Sequence, residues 1–418
     1  MMHKEATKSM TESATRYTPV SAARIPILDG MNRVHAYRLH FWEEHWAACG
    51  VSAQAENIAS RASRVEIEII ARGLPAFVKC PASAIDGDSL CEDWLRFLPA
   101  VNTVLELEAG DLETASTALL SNVHRSGYRV AVKGVPSEDS SCWPLMDYIM
   151  VDAERMSSSA RIGLTALARK NRIHLIAVNV ETQREFRERS EQGFDFFQGN
   201  YLLHPDPLPV HKIPPNRMVH LEILEELQKD HSDLDHLSQL IKCDAALTYR
   251  LLRLVNSPLC ATRQEVTSIK SALLLLGENT ARRFATMALA AEFNGDQPSE
   301  ILRISMERAR FCELAAGLCG QSSAEQYLIG LVSMFPAMLR ISMDDLVKTL
   351  PLRDRMRSVL LGQQCPESLL LDWITCHEQG YWDQCDMILQ SSGIGREQML
   401  ERHSEAIAWA DLVLFNAG

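Results

Sequence analysis

The sequence predicts an α/β half followed by an all-α half, and three observations carry that prediction. Short apolar runs of strand length alternate with segments of helical composition up to about residue 205. Pro205, Pro207, Pro209, Pro214 and Pro215 then fix φ and remove backbone donors, so neither helix nor central strand is expected there. Beyond them the apolar residues recur with a period near 3.6. The expected organisation is a disordered tail over 1–20, an α/β domain over 21–205, a Pro-rich linker over 206–216 and a helical domain over 217–418.

In the first half the strand-length runs are Arg24–Leu28, Ala36–Phe41, Ala76–Cys80, Val104–Leu107, Arg129–Val132, Tyr148–Val151, Leu175–Val180 and Phe194–Phe197. Strands separated by helices form a parallel sheet or barrel. The stretch Arg64–Ile70 (RVEIEII) alternates like a strand, yet it continues Ala55–Arg64, which reads as helix. After the linker, Met218, Leu221, Leu224 and Leu227 make one helical stripe, and Leu234, Leu237, Leu240 and Ile241 another. Ser232, with Asp235 three residues on, reads as a capping-box-like start to the second. Asp244–Val255 and Thr267–Leu276 continue the series, and Gly277 stands where a helix stop needs a left-handed residue.

The chain has 418 residues and a formal charge of −12. Such an acidic balance argues against a nucleic-acid binder, whose affinity draws on Lys/Arg density. At 46% apolar and 23% charged, the composition is that of a globular protein. The longest uninterrupted apolar run, Ala272–Leu276, is far short of the ~20 residues that cross a bilayer, so no membrane span is expected. Met1–Tyr17 lacks the apolar core of a signal peptide. Eleven cysteines without a CxxC read as reduced, mostly buried side chains and place the expectation in the cytoplasm.

Certain motifs stand in order along the first half: IPILD (Ile25–Asp29), AYRLHF (Ala36–Phe41), AFVKC (Ala76–Cys80), VLELE (Val104–Glu108), GYRVAVKG (Gly127–Gly134), DYIMVD (Asp147–Asp152), LIAVNVET (Leu175–Thr182) and GFDFFQGNYL (Gly193–Leu202). The second half carries DAALTYRLLRLVNS (Asp244–Ser257), SIKSALLLLG (Ser268–Gly277), YLIGLVSMF (Tyr327–Phe335) and LPLRDRMRSVLLG (Leu350–Gly362). Over about residues 21–400 the chain resembles the EAL-HDOD family, bacterial signal-transduction proteins that join a cyclic di-GMP phosphodiesterase-like barrel to a helical HDOD domain. The resemblance implies a trimmed TIM-type barrel, shorter than the ~250 residues typical of that fold, followed by an all-helical HDOD domain. It also implies helix for Arg64–Ile70.

Metal-assisted phosphodiester hydrolysis needs carboxylates and amides at the carboxyl ends of several barrel strands. By the resemblance, the motif Glu of active EAL enzymes is matched here by Arg38 and the next ligand, an Asn, by Lys79. The paired Asp fall on Lys133 and Gly134, the water-assisting Lys on Met150, and the general base on Val178. Glu106, Asp152, Glu181 and Gln198 remain of the pattern, while the second acid after Glu106 is matched by Ala109. The resemblance therefore implies no catalytic, cofactor or metal site. Glu106 and Glu181 are expected to pair with Arg38, Lys79 or Lys133 as structural ion pairs; the sharper alternative is a new anion site built from those three cations.

The helical half resembles HD phosphohydrolases too, yet no His-Asp dipeptide occurs in the chain, and the corresponding stretch is Val332-Ser333-Met334-Phe335. Neither Ser nor Met suits a hard dication. The cluster His231, Asp233, Asp235, His236 reads as helix capping in preference to metal binding, and Asn256-Ser257-Pro258 as a helix end. Arg161, Arg169, Lys170 and Arg172 read as a solvated basic face, with an anionic partner as the alternative. Trp373, Tyr381 and Trp382 read as packing anchors more than as a docking surface, and Met334, Met338 and Met343 as core. The expected function is a catalytically inactive signalling scaffold that contacts signalling proteins mainly through residues 217–418, without nucleic acid or membrane; a homodimer is an open assembly. The rival is a sensor that binds cyclic di-GMP or another anion in the barrel without hydrolysing it.

Overall fold

The computed structural model describes residues 22–41, 67–80 except 69, 85–86, 89–90, 98–113, 117–137, 140–203, 218–227, 229, 233–256, 266, 268–295, 297–350 and 352–417. The tail, the Pro-rich linker, Ser232, Ser257 and Pro258 lie outside them. The first half contains β1 (Ala22–Asp29), β2 (Val34–Phe41), β3 (Ala76–Lys79), a ribbon of β4 (Ile85–Asp86) and β5 (Ser89–Leu90), then β6 (Thr103–Glu108), β7 (Arg129–Lys133), β8 (Tyr148–Val151), β9 (His174–Ala177) and β10 (Phe196–Phe197). Between them run helices α1 (Thr117–Arg125), α2 (Ser158–Asn171) and α3 (Gln183–Glu191). Each of the eight apolar runs contains a strand, and Ile67, Glu68 and Ile70 are helical as the resemblance implies.

The eight long-range strands close a barrel in the order β1-β10-β9-β8-β7-β6-β3-β2. Its pairs are parallel except those of β1, which is antiparallel to both β2 and β10. The cause is local. Only Gly30–Arg33 separate β1 from β2, whereas a parallel crossover needs a dozen residues or more. Asp29 Oδ1 closes that tight turn by accepting from the N–H groups of Met31 and Arg33 at 2.8 and 2.9 Å.

Strand alternation sorts the side chains. Ile27, Ala36, Phe77, Val104, Ala131, Tyr148, Ile176 and Phe196, one from each strand, form a packed cluster with Met150 and Val178 inside the barrel. The opposite parity, including Tyr37, Val78, Leu105, Val130, Ile149 and Leu175, packs outward into a core that continues into the helical half.

That half is built from α4 (Met218–Leu227), α5 (Leu234–Lys242), α6 (Ala245–Val255), α7 (Ile269–Leu276), α8 (Glu278–Asn294), α9 (Ser299–Ala315), α10 (Ser323–Val332), α11 (Phe335–Leu339), α12 (Met343–Thr349), α13 (Asp354–Leu360), α14 (Leu369–Gln379), α15 (Trp382–Ser392) and α16 (Arg396–Ala417). Helix α5 is capped by Asp233, whose side chain accepts from the N–H groups of Asp235 and His236. Asp233, rather than Ser232, is thus its capping residue. Gly277 has φ +73° and ψ 162°, a positive-φ break between α7 and α8 outside the left-handed helical region. No single helix among the described residues is long and apolar enough to cross a membrane.

The two halves meet across a buried polar seam. Arg24 of β1 donates to Glu307 of α9 and to the Ile70 carbonyl at 2.8 Å. Tyr37 of β2 donates to Glu300 Oε2 at 3.2 Å, and Arg303 pairs with both Glu300 and Glu307. Arg72 reaches Asp411 of α16 at 3.2 Å. Asn200 and Gln379 exchange side-chain hydrogen bonds at 3.1 and 2.8 Å. Gly380, at φ +71°, ends α14 where an added Cβ would lie 2.3 Å from His40 Nδ1, so glycine serves both the helix stop and the close approach.

Candidate functional site

The barrel mouth at the carboxyl ends of the parallel strands is where this architecture places chemistry. Parity fixes what points into it. Arg38 follows Ala36, Lys79 follows Phe77, Glu106 follows Val104, Lys133 follows Ala131, and Gln198 follows Phe196, each two residues beyond an inward side chain, and Glu108 stands two beyond Glu106.

The side chains divide into separate groups. Arg38 clamps Glu106 bidentately, Nε to Oε2 at 2.7 Å and Nη2 to Oε1 at 2.6 Å, and the Glu106 side chain is 1% exposed. Two charge-assisted bonds in a fork geometry are the strong form of this interaction. Lys79 and Lys133 instead share one oxygen, Glu108 Oε1, at 3.7 and 3.4 Å. Met150 and Val178 belong to the apolar barrel interior. Gly134 has φ +100°, and a Cβ there would press on Ala109 at 3.2 Å.

The rim carboxylates are held locally. Asp152 accepts from Asn179 at 3.1 Å and pairs with Arg155 at 3.0 Å. Glu181 accepts from Asn200 at 3.1 Å, so it does not pair with Arg38, Lys79 or Lys133; it lies in the loop after β9, beside the domain seam, whereas those cations sit on β2, β3 and β7. Gln198 is buried, and its Oε1 has no hydrogen-bond partner. Glu108, Asn179 and Asn200 were not singled out from the sequence. For Glu108 the signal was present, because alternation within VLELE puts it on the face of Glu106.

In the helical half Ser333 accepts from Arg308 Nη1 at 3.2 Å, and Arg308 is clamped by Glu378 at 2.6–3.1 Å. A guanidinium therefore adjoins the Val332-Ser333-Met334-Phe335 stretch. Among the described residues, no group of three or more His, Cys, Asp or Glu is placed to hold a metal ion. Asn256 bonds the backbone of Val266 and Leu252, a structural use. Arg161 donates to the Ala153 and Met156 carbonyls, while Arg169, Lys170 and Arg172 are exposed. Trp373 and Trp382 are buried and Tyr381 is 52% exposed. Met334 and Met338 are buried, Met343 half-buried.

Comparison with known proteins places an HDOD domain at residues 213–342. The uncharacterized protein YuxH of Bacillus subtilis (strain 168) is 25% identical over 405 residues, 93% of this chain and 98% of that protein. The cyclic di-GMP phosphodiesterase CdgJ of Vibrio cholerae is 30% identical over 246 residues, 58% of this chain and 57% of that protein. Among solved structures, BlrP1 of Klebsiella pneumoniae in a calcium/cyclic di-GMP complex is similar at 18% identity and a TM-score of 0.37, covering 44% of this chain and 56% of that one. With an HDOD domain following a closed eight-stranded barrel, the chain fits the EAL-HDOD family.

Proposed function

We propose that this chain is a non-catalytic cytoplasmic signalling protein in a cyclic di-GMP-related pathway, acting through protein contacts of its helical half. The Arg38–Glu106 clamp carries the reading. The retained carboxylate most deeply placed in the mouth is fully engaged by a guanidinium, and the positions beside it offer ammonium groups, a glycine and apolar side chains instead of ligands. Dications there would meet three cations against two carboxylates already engaged by them, a mouth left with one positive charge. A missing ligand or base alone lowers turnover by orders of magnitude. The pathway assignment draws on the similarity to the cyclic di-GMP phosphodiesterase of Vibrio cholerae and on the HDOD domain.

One observation favours the sensor reading. Lys79 and Lys133 share a single carboxylate, which leaves one positive charge in the mouth, and Gln198 Oε1 is buried without a partner. Cross-linking of the full-length protein in native lysate, followed by mass spectrometry, separates the two. The scaffold reading expects partner cross-links concentrated on residues 217–418. Cross-links confined to the barrel, or a co-purifying anionic small molecule with no protein partner, would replace it with the sensor.

A further inference from the structure

A cleft of about 600 Å³ lies wholly within the helical half, among α9, α12, α13, α14 and α15. That volume falls within the roughly 300–1,000 Å³ of small-molecule sites. Arg308 and Ser333 line one side of it. Met343, Val359, Leu360, Leu371, Met387 and Ile388 give it apolar walls, with the Gln364 and Gln384 carboxamides among them. Met387 is 60% exposed on the open side, an adaptable side chain of the kind used at binding surfaces.

Charge decides what fits. The charged lining residues are Arg308 and Asp372. Arg308 is ion-paired with Glu378, which stands outside the lining, so Asp372 is the lining charge that its own surroundings leave without an opposite charge. Ser368 donates to Asp372 Oδ2 at 2.7 Å and orients the carboxylate. The hydroxyls nearby are already donating, Ser333 to the Gly330 carbonyl at 2.7 Å and Thr375 to the Leu371 carbonyl at 2.8 Å. The cleft therefore presents apolar surface and an acceptor carboxylate, with no uncommitted cation on its lining for a phosphate or carboxylate. We infer that it is a binding site for a small amphipathic cation, with the ammonium on Asp372 and the apolar body against Met387, Ile388 and Leu360. The lining residue Arg308 pairs with Glu378, whose neighbour Gln379 bonds Asn200 of the barrel, so the site is linked to the domain seam.

Octylammonium, octanol and octanoate are matched probes, titrated by calorimetry into the full-length protein. Octylammonium is expected to saturate at one per chain and to bind at least about tenfold more tightly than octanoate, the scale of one charge-assisted hydrogen bond. Asp372→Asn should remove that preference and leave octanol binding unchanged. Thr375→Trp, which fills the cleft from α14, should abolish binding of all three, with the circular-dichroism spectrum and thermal midpoint checked for both variants. Octanoate binding as tight as octylammonium, no saturable binding of any probe, or octylammonium saturation undiminished in Thr375→Trp would overturn the assignment.

Discussion

Arg38 reaches two strands across the sheet and satisfies the buried Glu106. Each group of that pair is stable only through the other. Arg38→Ala should therefore strand a carboxylate that is 1% exposed and cost about 3 kcal/mol, the scale of an uncompensated buried charge. Arg38→Met combined with Glu106→Leu should recover most of the loss. Urea titration of the three proteins checks this, and an Arg38→Ala loss no larger than a surface substitution, about 0.5 kcal/mol, would contradict it. The strands that carry Arg38, Lys79, Glu106 and Lys133 were legible in the sequence, since each apolar run around them is continuous. Their partners were less so. Parity could place Arg38, Glu106 and Glu108 on one face, but which acid each cation takes depends on side-chain reach across neighbouring strands. Glu181 illustrates the limit: its partner Asn200 comes from a loop whose path no local pattern sets.

At the scale of elements, α14 and α16 bring two histidines into the seam. His377 and His403 meet edge-to-face with ring centroids 4.4 Å apart beside Trp373. Burial and then His403 hold His377 well below its ordinary range. Burial, with Arg24 and Arg303 of the seam adding to it, lowers His403 to about 3. Glu307 faces them; burial opposes its ionisation, but Arg24 and Arg303 outweigh that and keep it lowered. Asp411 runs the other way, raised by burial. Unfolded histidines titrate near 6.5, so as the pH falls the unfolded chain binds protons that the folded chain refuses. The stabilisation is fully present above about pH 6.5 and is lost progressively toward pH 3, by up to about 1.4 kcal/mol per pH unit for each histidine. Urea midpoints should hold from pH 7.5 to about 6.5 and drop from there to pH 5, and His403→Gln should flatten that slope. A midpoint constant over that range would contradict the neutral, buried pair. Element existence was well signalled by period and capping. The antiparallel sense of β1 was readable only from the short connection to β2, and the histidine pair not at all, since tertiary packing brings residues 377 and 403 together.

For the whole molecule, the seam makes barrel and helices one cooperative structure instead of two modules on a tether. Arg24 contacts the Ile70 carbonyl, Glu307 and Asp411, and the apolar core runs through the boundary. Calorimetry should show a single unfolding transition, and Arg24→Ala should lower stability by about 3 kcal/mol because Glu307 loses a buried partner. Two independent transitions in the unaltered chain would contradict that coupling. The central claim concerns chemistry, and the most direct test is turnover. Full-length protein is incubated with cyclic di-GMP and either Mg²⁺ or Mn²⁺, and products are resolved by chromatography against a protein-free control. The account predicts no linear product above the control with either ion; metal-dependent formation of linear product that disappears in Glu106→Gln would contradict it.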